Sequence, residues 1–67
     1  MRKYLIWSHE HRQWWGPGHC GYTASIERAG RYTKNEAADI VLDHYPPGEE
    51  VAVPETMAAD FWEKEEA

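Results

Sequence analysis

The chain has few cysteines, few phenylalanines and no long apolar run. It contains one Cys and one Phe among 67 residues, and the apolar run near its N-terminus stops after Leu5-Ile6-Trp7. A single cysteine excludes an internal disulfide and favours a reducing compartment. A secretory signal needs about 7–15 apolar residues and a membrane span about 20. We therefore predict a soluble cytoplasmic protein that does not enter a membrane.

Basic residues are also scarce, and they are unevenly placed. Lys and Arg number 7 against 12 Asp and Glu, for a net charge of −5. Residues 1–33 have a balance of +3, whereas residues 34–67 have a balance of −8. General nucleic-acid binding requires a basic surface, so direct binding of nucleic acid is not expected. The acidic half is either an ordinary solvated face or a surface that meets a basic partner.

Two short antiparallel strands are predicted near the N-terminus. Residues 3–8 are rich in aromatic and branched side chains, and alternation makes both faces of this strand apolar. Such a strand is either covered on both sides or has a second face that binds a partner. A turn near residues 9–11 leads to the second strand, residues 12–15, which ends at Gly16-Pro17-Gly18.

A helical turn is predicted at residues 24–29, with Thr23 as its N-cap and Gly30 as a left-handed C-cap. Residues 31–32 then form a brief extended piece alongside the hairpin.

The second half predicts two amphipathic helices. Thr33 and Glu36 have the capping-box spacing, and the helix that they open runs to about His44, before Pro46-Pro47-Gly48. Residues 50–53 form a possible last strand, and a C-terminal helix begins at Pro54 and frays after Trp62. We predict one domain, residues 1–67, of the α+β class. A small antiparallel sheet of two to three strands packs against one well-capped α-helix, with the C-terminal helix behind it.

Aromatic residues are concentrated between Trp7 and Thr33, which hold three of the four tryptophans. Adjacent residues of a strand point to opposite sides, so at least one of Trp14 and Trp15 is a candidate for an exposed ring. That ring is either core or interface. Tryptophan, tyrosine and arginine dominate the energetic anchors of interfaces. We therefore predict partner contacts at Trp14, Trp15, Tyr22 and Arg12. The acidic residues predicted to meet a basic groove are Asp39, Asp43, Glu49, Glu50 and Asp60.

Two alternatives use the histidines and the cysteine. Imidazole and thiolate ligands from His9, His11, His19 and Cys20 could close a structural zinc site, and the chain would then be a zinc-stabilised interaction module. Their spacing matches no zinc signature, so hydrogen-bonding loop residues are the favoured interpretation. A small enzyme based on Cys20 with a histidine base, or on Glu10, is less favoured, because a nucleophile needs an oriented base. No cofactor is expected.

Part of the chain resembles a set of small, largely uncharacterised proteins of tailed phages and prophages. The resemblance lies in the pattern WSHEH…WW.P…GYT……AGRYT..EA within residues 4–40. The matching residues are Trp7, Ser8, His9, Glu10, His11, Trp14, Trp15, Pro17, Gly21, Tyr22, Thr23, Ala29, Gly30, Arg31, Tyr32, Thr33, Glu36 and Ala37.

The resemblance implies a phage origin and a role directed at the host or its defences. Some small acidic phage proteins are anti-CRISPR proteins, which occlude nucleic-acid channels. This chain is likened to them by analogy of size, charge and origin alone. We therefore expect a non-enzymatic inhibitor in the cytoplasm of the host cell. Its expected partner is a host or defence protein, with the nucleic-acid groove of a Cas effector as the first candidate. The oligomeric state is left open.

Overall fold

Four strands form one antiparallel sheet in the computed structural model, which describes residues 2–43 and 48–66. The strands are β1 (Tyr4–Ser8), β2 (Gln13–Trp15), β3 (Tyr22–Thr23) and β4 (Glu50–Pro54). Their order across the sheet is β3-β2-β1-β4. The α+β class is confirmed, with one strand more than the upper number predicted. The additional strand is β3, which the sequence predicted only as the approach to a helical turn.

Two α-helices complete the fold: α1 (Lys34–Asp43) and α2 (Ala58–Glu66). A 3-10 turn over Glu55–Met57 leads into α2, so this helix starts later than predicted, and it continues past Trp62 rather than fraying there. None of the helices in the described part of the chain is long and apolar enough to cross a membrane. His44, Pro46 and Pro47, the predicted end of the first helix, lie outside the described residues.

The predicted capping box opens α1. The Thr33 backbone N–H donates to the Glu36 carboxylate at 2.8 Å, and the Glu36 N–H donates to the Thr33 hydroxyl at 3.2 Å. Two free N–H groups at the helix start are thereby satisfied. Ala37 and Ile40 then face the sheet and are buried, as their spacing predicts.

The segment between β3 and α1 differs from its prediction. Residues 25–29 form hydrogen-bonded turns rather than a regular helix. The predicted cap Thr23 accepts the Ser25 N–H at 3.1 Å, and the Ser25 hydroxyl in turn accepts the Arg28 N–H at 3.3 Å. Gly30 does not have a positive φ. A Cβ there would lie 2.7 Å from the Gly16 carbonyl oxygen, so close backbone approach accounts for this glycine. Tyr32 forms a bridge to Tyr4 of β1, as the predicted extended piece requires.

The sheet lies between the two helices, with a core on each side. One core contains Leu5, Trp7 and Trp14 under α2, and the other contains Ile6 and Trp15 under α1. Both faces of β1 are therefore covered by protein. This confirms the first of the two interpretations of its apolar faces.

Candidate protein-binding surface

The turn between β1 and β2 places His11 beside Tyr22 of the edge strand β3. The Arg12 N–H donates to the Ser8 carbonyl at 2.7 Å, and the His11 N–H donates to the Ser8 hydroxyl at 3.2 Å. Arg12 ends this turn with a positive φ of 54°. These bonds hold the turn against β2, because Ser8 pairs with Gln13.

Tyr22 is the exposed aromatic ring of this region. It lies opposite Trp15 in the β2–β3 pair and is 43% exposed. Its ring stacks on His11 with centroids 4.0 Å apart, and it meets the Trp15 ring edge-on at 6.2 Å. A ring held on two sides is already ordered, so a partner that covers it loses little side-chain entropy. We call Tyr22 and His11, with the flanking Glu10, the Tyr22 surface.

Two carboxylates act on the ionisation of this tyrosine. Burial raises the pKa of the Tyr22 phenol, and the carboxylates of Glu50 and Glu10 raise it further. Glu10 is largely exposed and lies 3.5 Å from Nε2 of His11. The phenol therefore remains a neutral hydrogen-bond donor near neutral pH. A partner's arginine or lysine would meet both an aromatic ring and the exposed Glu10 carboxylate here.

Both predicted tryptophan anchors are buried, so the prediction of an exposed ring at one of them is wrong. Trp14 is 0% exposed and Trp15 is 8% exposed. Their side chains do point to opposite sides of the sheet, but each side carries a core. Trp14 packs against Trp7, Phe61 and Trp62.

Glu50 is also buried, and it belongs to the core rather than to an acidic face. It accepts a hydrogen bond of 2.6 Å from the Trp15 indole N–H. This contact between β2 and β4 crosses β1 and leaves the carboxylate out of reach of a large partner.

The other acidic candidates do not form one face. Asp39 and Asp43 are exposed on α1, and Asp60 is exposed on α2, on the opposite side of the sheet. Glu49 is half-buried beside the β1–β2 turn, where its carbonyl accepts the His9 N–H at 2.8 Å. These five acidic residues, Glu50 included, therefore cannot all meet one groove of a partner at the same time.

The histidines and the cysteine of the zinc alternative are not brought together. His19 packs edge-on against Trp15 and Tyr32, and His11 stacks on Tyr22, whereas Cys20 is exposed. Within residues 2–43 and 48–66, no three His, Cys, Asp or Glu side chains are placed to hold a metal ion. Geometry therefore does not favour a zinc site.

Tyr32 shows what the His19 loop does instead. Its hydroxyl accepts the His19 backbone N–H at 3.1 Å and donates to the Gly16 carbonyl. The loop between β2 and β3 is thereby fixed over the core under α1, and its residues have structural partners.

Sequence reasoning missed the role of His11 as the stacking partner of Tyr22. The sequence held no local signal for this contact, because Tyr22 reaches Trp15 only when the loop of residues 16–21 returns it beside β2. Leu42 (80% exposed) and Met57 (57% exposed) are two further apolar side chains that the sequence did not single out as surface residues.

Comparison with known proteins returns no relationship: no family model, no curated protein and no solved structure matches this chain.

Proposed function

We propose that this chain is a phage-encoded, non-enzymatic inhibitor that binds a basic surface of a host or defence protein. The nucleic-acid groove of a CRISPR–Cas effector is the first candidate target. Phage origin comes from the sequence resemblance, and the binding mode comes from the Tyr22 surface.

The observation that carries this proposal is the exposure of an ordered Tyr22 ring near the exposed carboxylate of Glu10. The ring is fixed by His11 and Trp15, and the carboxylates of Glu10 and Glu50 raise its pKa. Tyrosine is enriched among interface hot spots, and a ring that is ordered before binding loses less conformational entropy when a partner covers it. An arginine that normally contacts phosphate would meet a π-face and a carboxylate instead.

Helix α1 extends the same side of the molecule. Trp15 shares one core with Ala37 and Ile40 of α1, and Tyr22 lies opposite Trp15, so its ring is on the α1 side of the sheet. Asp39 and Asp43 of α1 are exposed and add negative charge to that side. We retain these two aspartates and Arg12, also exposed, as contact candidates. The buried Trp14, Trp15 and Glu50 serve the fold.

The test is inhibition of DNA binding by purified Cas effector complexes of several types. Tyr22→Ala is expected to weaken inhibition by about tenfold or more, which is the effect of losing an interface hot spot. Tyr22→Phe keeps the ring and is expected to retain most of the inhibition. Leu42→Ala is the matched control, because it also removes exposed apolar area.

Circular dichroism of each variant separates binding from folding. A folded Tyr22→Ala variant that inhibits as well as the parent chain would refute the Tyr22 surface. Absence of any effect on all effectors tested, together with absence of a stoichiometric partner in bacterial host lysates, would refute the inhibitor proposal itself.

A further inference from the structure

The opposite edge of the sheet has an open strand. Strand β4 pairs with β1 along one side, and no other described strand lies along its outer side. An open edge is a template for the backbone of another extended chain.

The register identifies which backbone groups face outward. The His9 N–H donates to the Glu49 carbonyl, and the Glu55 N–H donates to the Lys3 carbonyl. Antiparallel pairs alternate between bonded and non-bonded residues, so Val51 and Val53 also bond to β1. The N–H and C=O groups of Glu50 and Ala52 therefore point away from the sheet. Pro54 offers only its carbonyl there, which ends the pairing ladder.

An apolar groove of about 220 Å³ runs beside this edge. It is lined by four consecutive residues of β4, Val51 to Pro54, together with Met57, Asp60, Phe61 and Lys64. Successive strand residues point to opposite faces, so a groove that touches all four also contacts the backbone of this edge strand. The edge facing β1 is already occupied. The groove therefore adjoins the outward N–H and C=O groups.

Charge selects the kind of occupant. Strand β4 and the two helices that contact it belong to residues 34–67, whose balance is −8. A second copy of the chain would bring carboxylates against carboxylates, which disfavours edge-to-edge pairing of two copies. A basic segment has the complementary sign.

We propose that the β4 edge binds an extended, basic segment of a partner protein, which adds to the sheet as a fifth strand. Apolar side chains on one side of that segment enter the groove beside Met57 and Phe61. Basic side chains on its other side meet the acidic surroundings. This site goes beyond the Tyr22 surface and does not depend on it, because the two lie at opposite edges of the sheet.

The test uses the peptide acetyl-(Lys-Val)₃-Lys-amide as the probe. In the isotope-labelled chain, hydrogen exchange of the Glu50 and Ala52 amides is expected to slow by about tenfold or more on saturation with peptide. The corresponding glutamate–valine peptide should leave exchange unchanged. Two further peptides are N-methylated, one on every lysine and the other on every valine. The N–H groups of alternate residues point to the same edge of an extended strand, and only one edge of an added strand faces β4. Only one of the two N-methylated peptides should therefore lose binding.

Two single substitutions that reverse a charge in the groove are expected to change the affinity for the peptide in opposite directions. Asp60→Lys is expected to weaken binding of the basic peptide by about fivefold, and Lys64→Glu is expected to strengthen it by a similar factor. Met57→Lys, at an exposed position, should weaken it without loss of the fold.

Three results would overturn the inference. The first is equal binding of the acidic peptide, and the second is loss of binding with both N-methylated peptides or with neither. The third is protection of the Glu50 and Ala52 amides that rises with the concentration of the chain when no peptide is present. The last result would indicate pairing of two copies. Since Tyr22→Ala leaves this edge intact, peptide binding by that variant separates failure here from failure of the Tyr22 surface.

Discussion

Replacement of tryptophan by phenylalanine is expected to have very different costs at two neighbouring positions of β2. The Trp14 side chain is fully buried, and its indole N–H has no hydrogen-bond partner. The Trp15 indole N–H donates to the Glu50 carboxylate at 2.6 Å. Both substitutions remove the same pyrrole part of the indole, so the difference between them isolates the fate of the N–H group.

The expected magnitudes follow from that difference. Loss of apolar contact costs about 1–2 kcal/mol at either position. At Trp14, removal of a buried donor without an acceptor returns about 1–3 kcal/mol, so the net change in unfolding free energy is within about 1–2 kcal/mol of zero. At Trp15, loss of a hydrogen bond to a carboxylate adds about 1.5–3 kcal/mol, for a total cost of about 2.5–5 kcal/mol.

Urea denaturation followed by far-UV circular dichroism measures both variants. A 67-residue chain has a total stability of about 3–10 kcal/mol. With a slope of about 1 kcal/mol per molar urea, the midpoint of Trp15→Phe should fall by about 2 M or more, or the variant should be unfolded. The midpoint of Trp14→Phe should stay close to that of the parent chain.

Glu50→Gln supplies the control, because it keeps an acceptor for the Trp15 N–H while it removes the charge. Combined with Trp15→Phe in a double-mutant cycle, it is expected to show a coupling energy of about 1 kcal/mol or more. If Trp14→Phe is as destabilising as Trp15→Phe, the argument from the unsatisfied indole fails.

Three further outcomes are expected. The double variant Trp14→Ala and Trp15→Ala should be unfolded, since each truncation costs about 3–5 kcal/mol; a cooperative thermal transition in this variant would contradict the core assignment. A backbone hydrogen bond from the capping threonine lowers the pKa of Glu36 below 4.5, so its stabilising effect is present above that pH and is lost as the pH falls through the lowered value. Glu36→Gln should therefore lower the thermal midpoint at pH 7 but not near pH 3, and an equal decrease at both would refute the charge contribution. Gly30→Ala places a Cβ 2.7 Å from a backbone oxygen and should lower the free energy of unfolding by about 1–3 kcal/mol. Gly18→Ala should lower it less, by about 1 kcal/mol, because its Cβ meets no atom within 4 Å and only the positive φ is unfavourable. The reverse order in urea denaturation would contradict the close approach at Gly30.

Local signals predicted much of the fold. The capping box at Thr33 and Glu36, the alternation along β1 and the antiparallel hairpin all depend on residues close in sequence, and the structure contains each of them. The two-residue strand β3 has no such signal. Tyr22 and Thr23 join the sheet because the loop after β2 returns them beside Trp15 and Trp14, and that return depends on tertiary contacts.

The candidate site was harder to predict because exposure depends on what covers each face. Alternation correctly places the side chains of Trp14 and Trp15 on opposite sides, but it does not say how many sides carry a helix. With α1 on one side and α2 on the other, both rings are core. The same arrangement separates Asp39 from Asp60, which the charge pattern had grouped.

The small size of the chain explains why its candidate binding surfaces lie at the sheet edges. A domain of about 60 residues buries only about 60% of its unfolded surface, so its largest rings are needed inside. Here two cores share one sheet, and they take up three tryptophans from β1 and β2. The faces of the sheet are then covered, and the parts of the sheet itself that partners can reach are its outer strands. One edge presents Tyr22 of β3, fixed by its neighbours, and the other presents the outer backbone of β4, along which no other strand of the described residues lies. An added strand at β4 would extend the sheet without disturbing either core, whereas a partner that required Trp14 would have to displace α2 first.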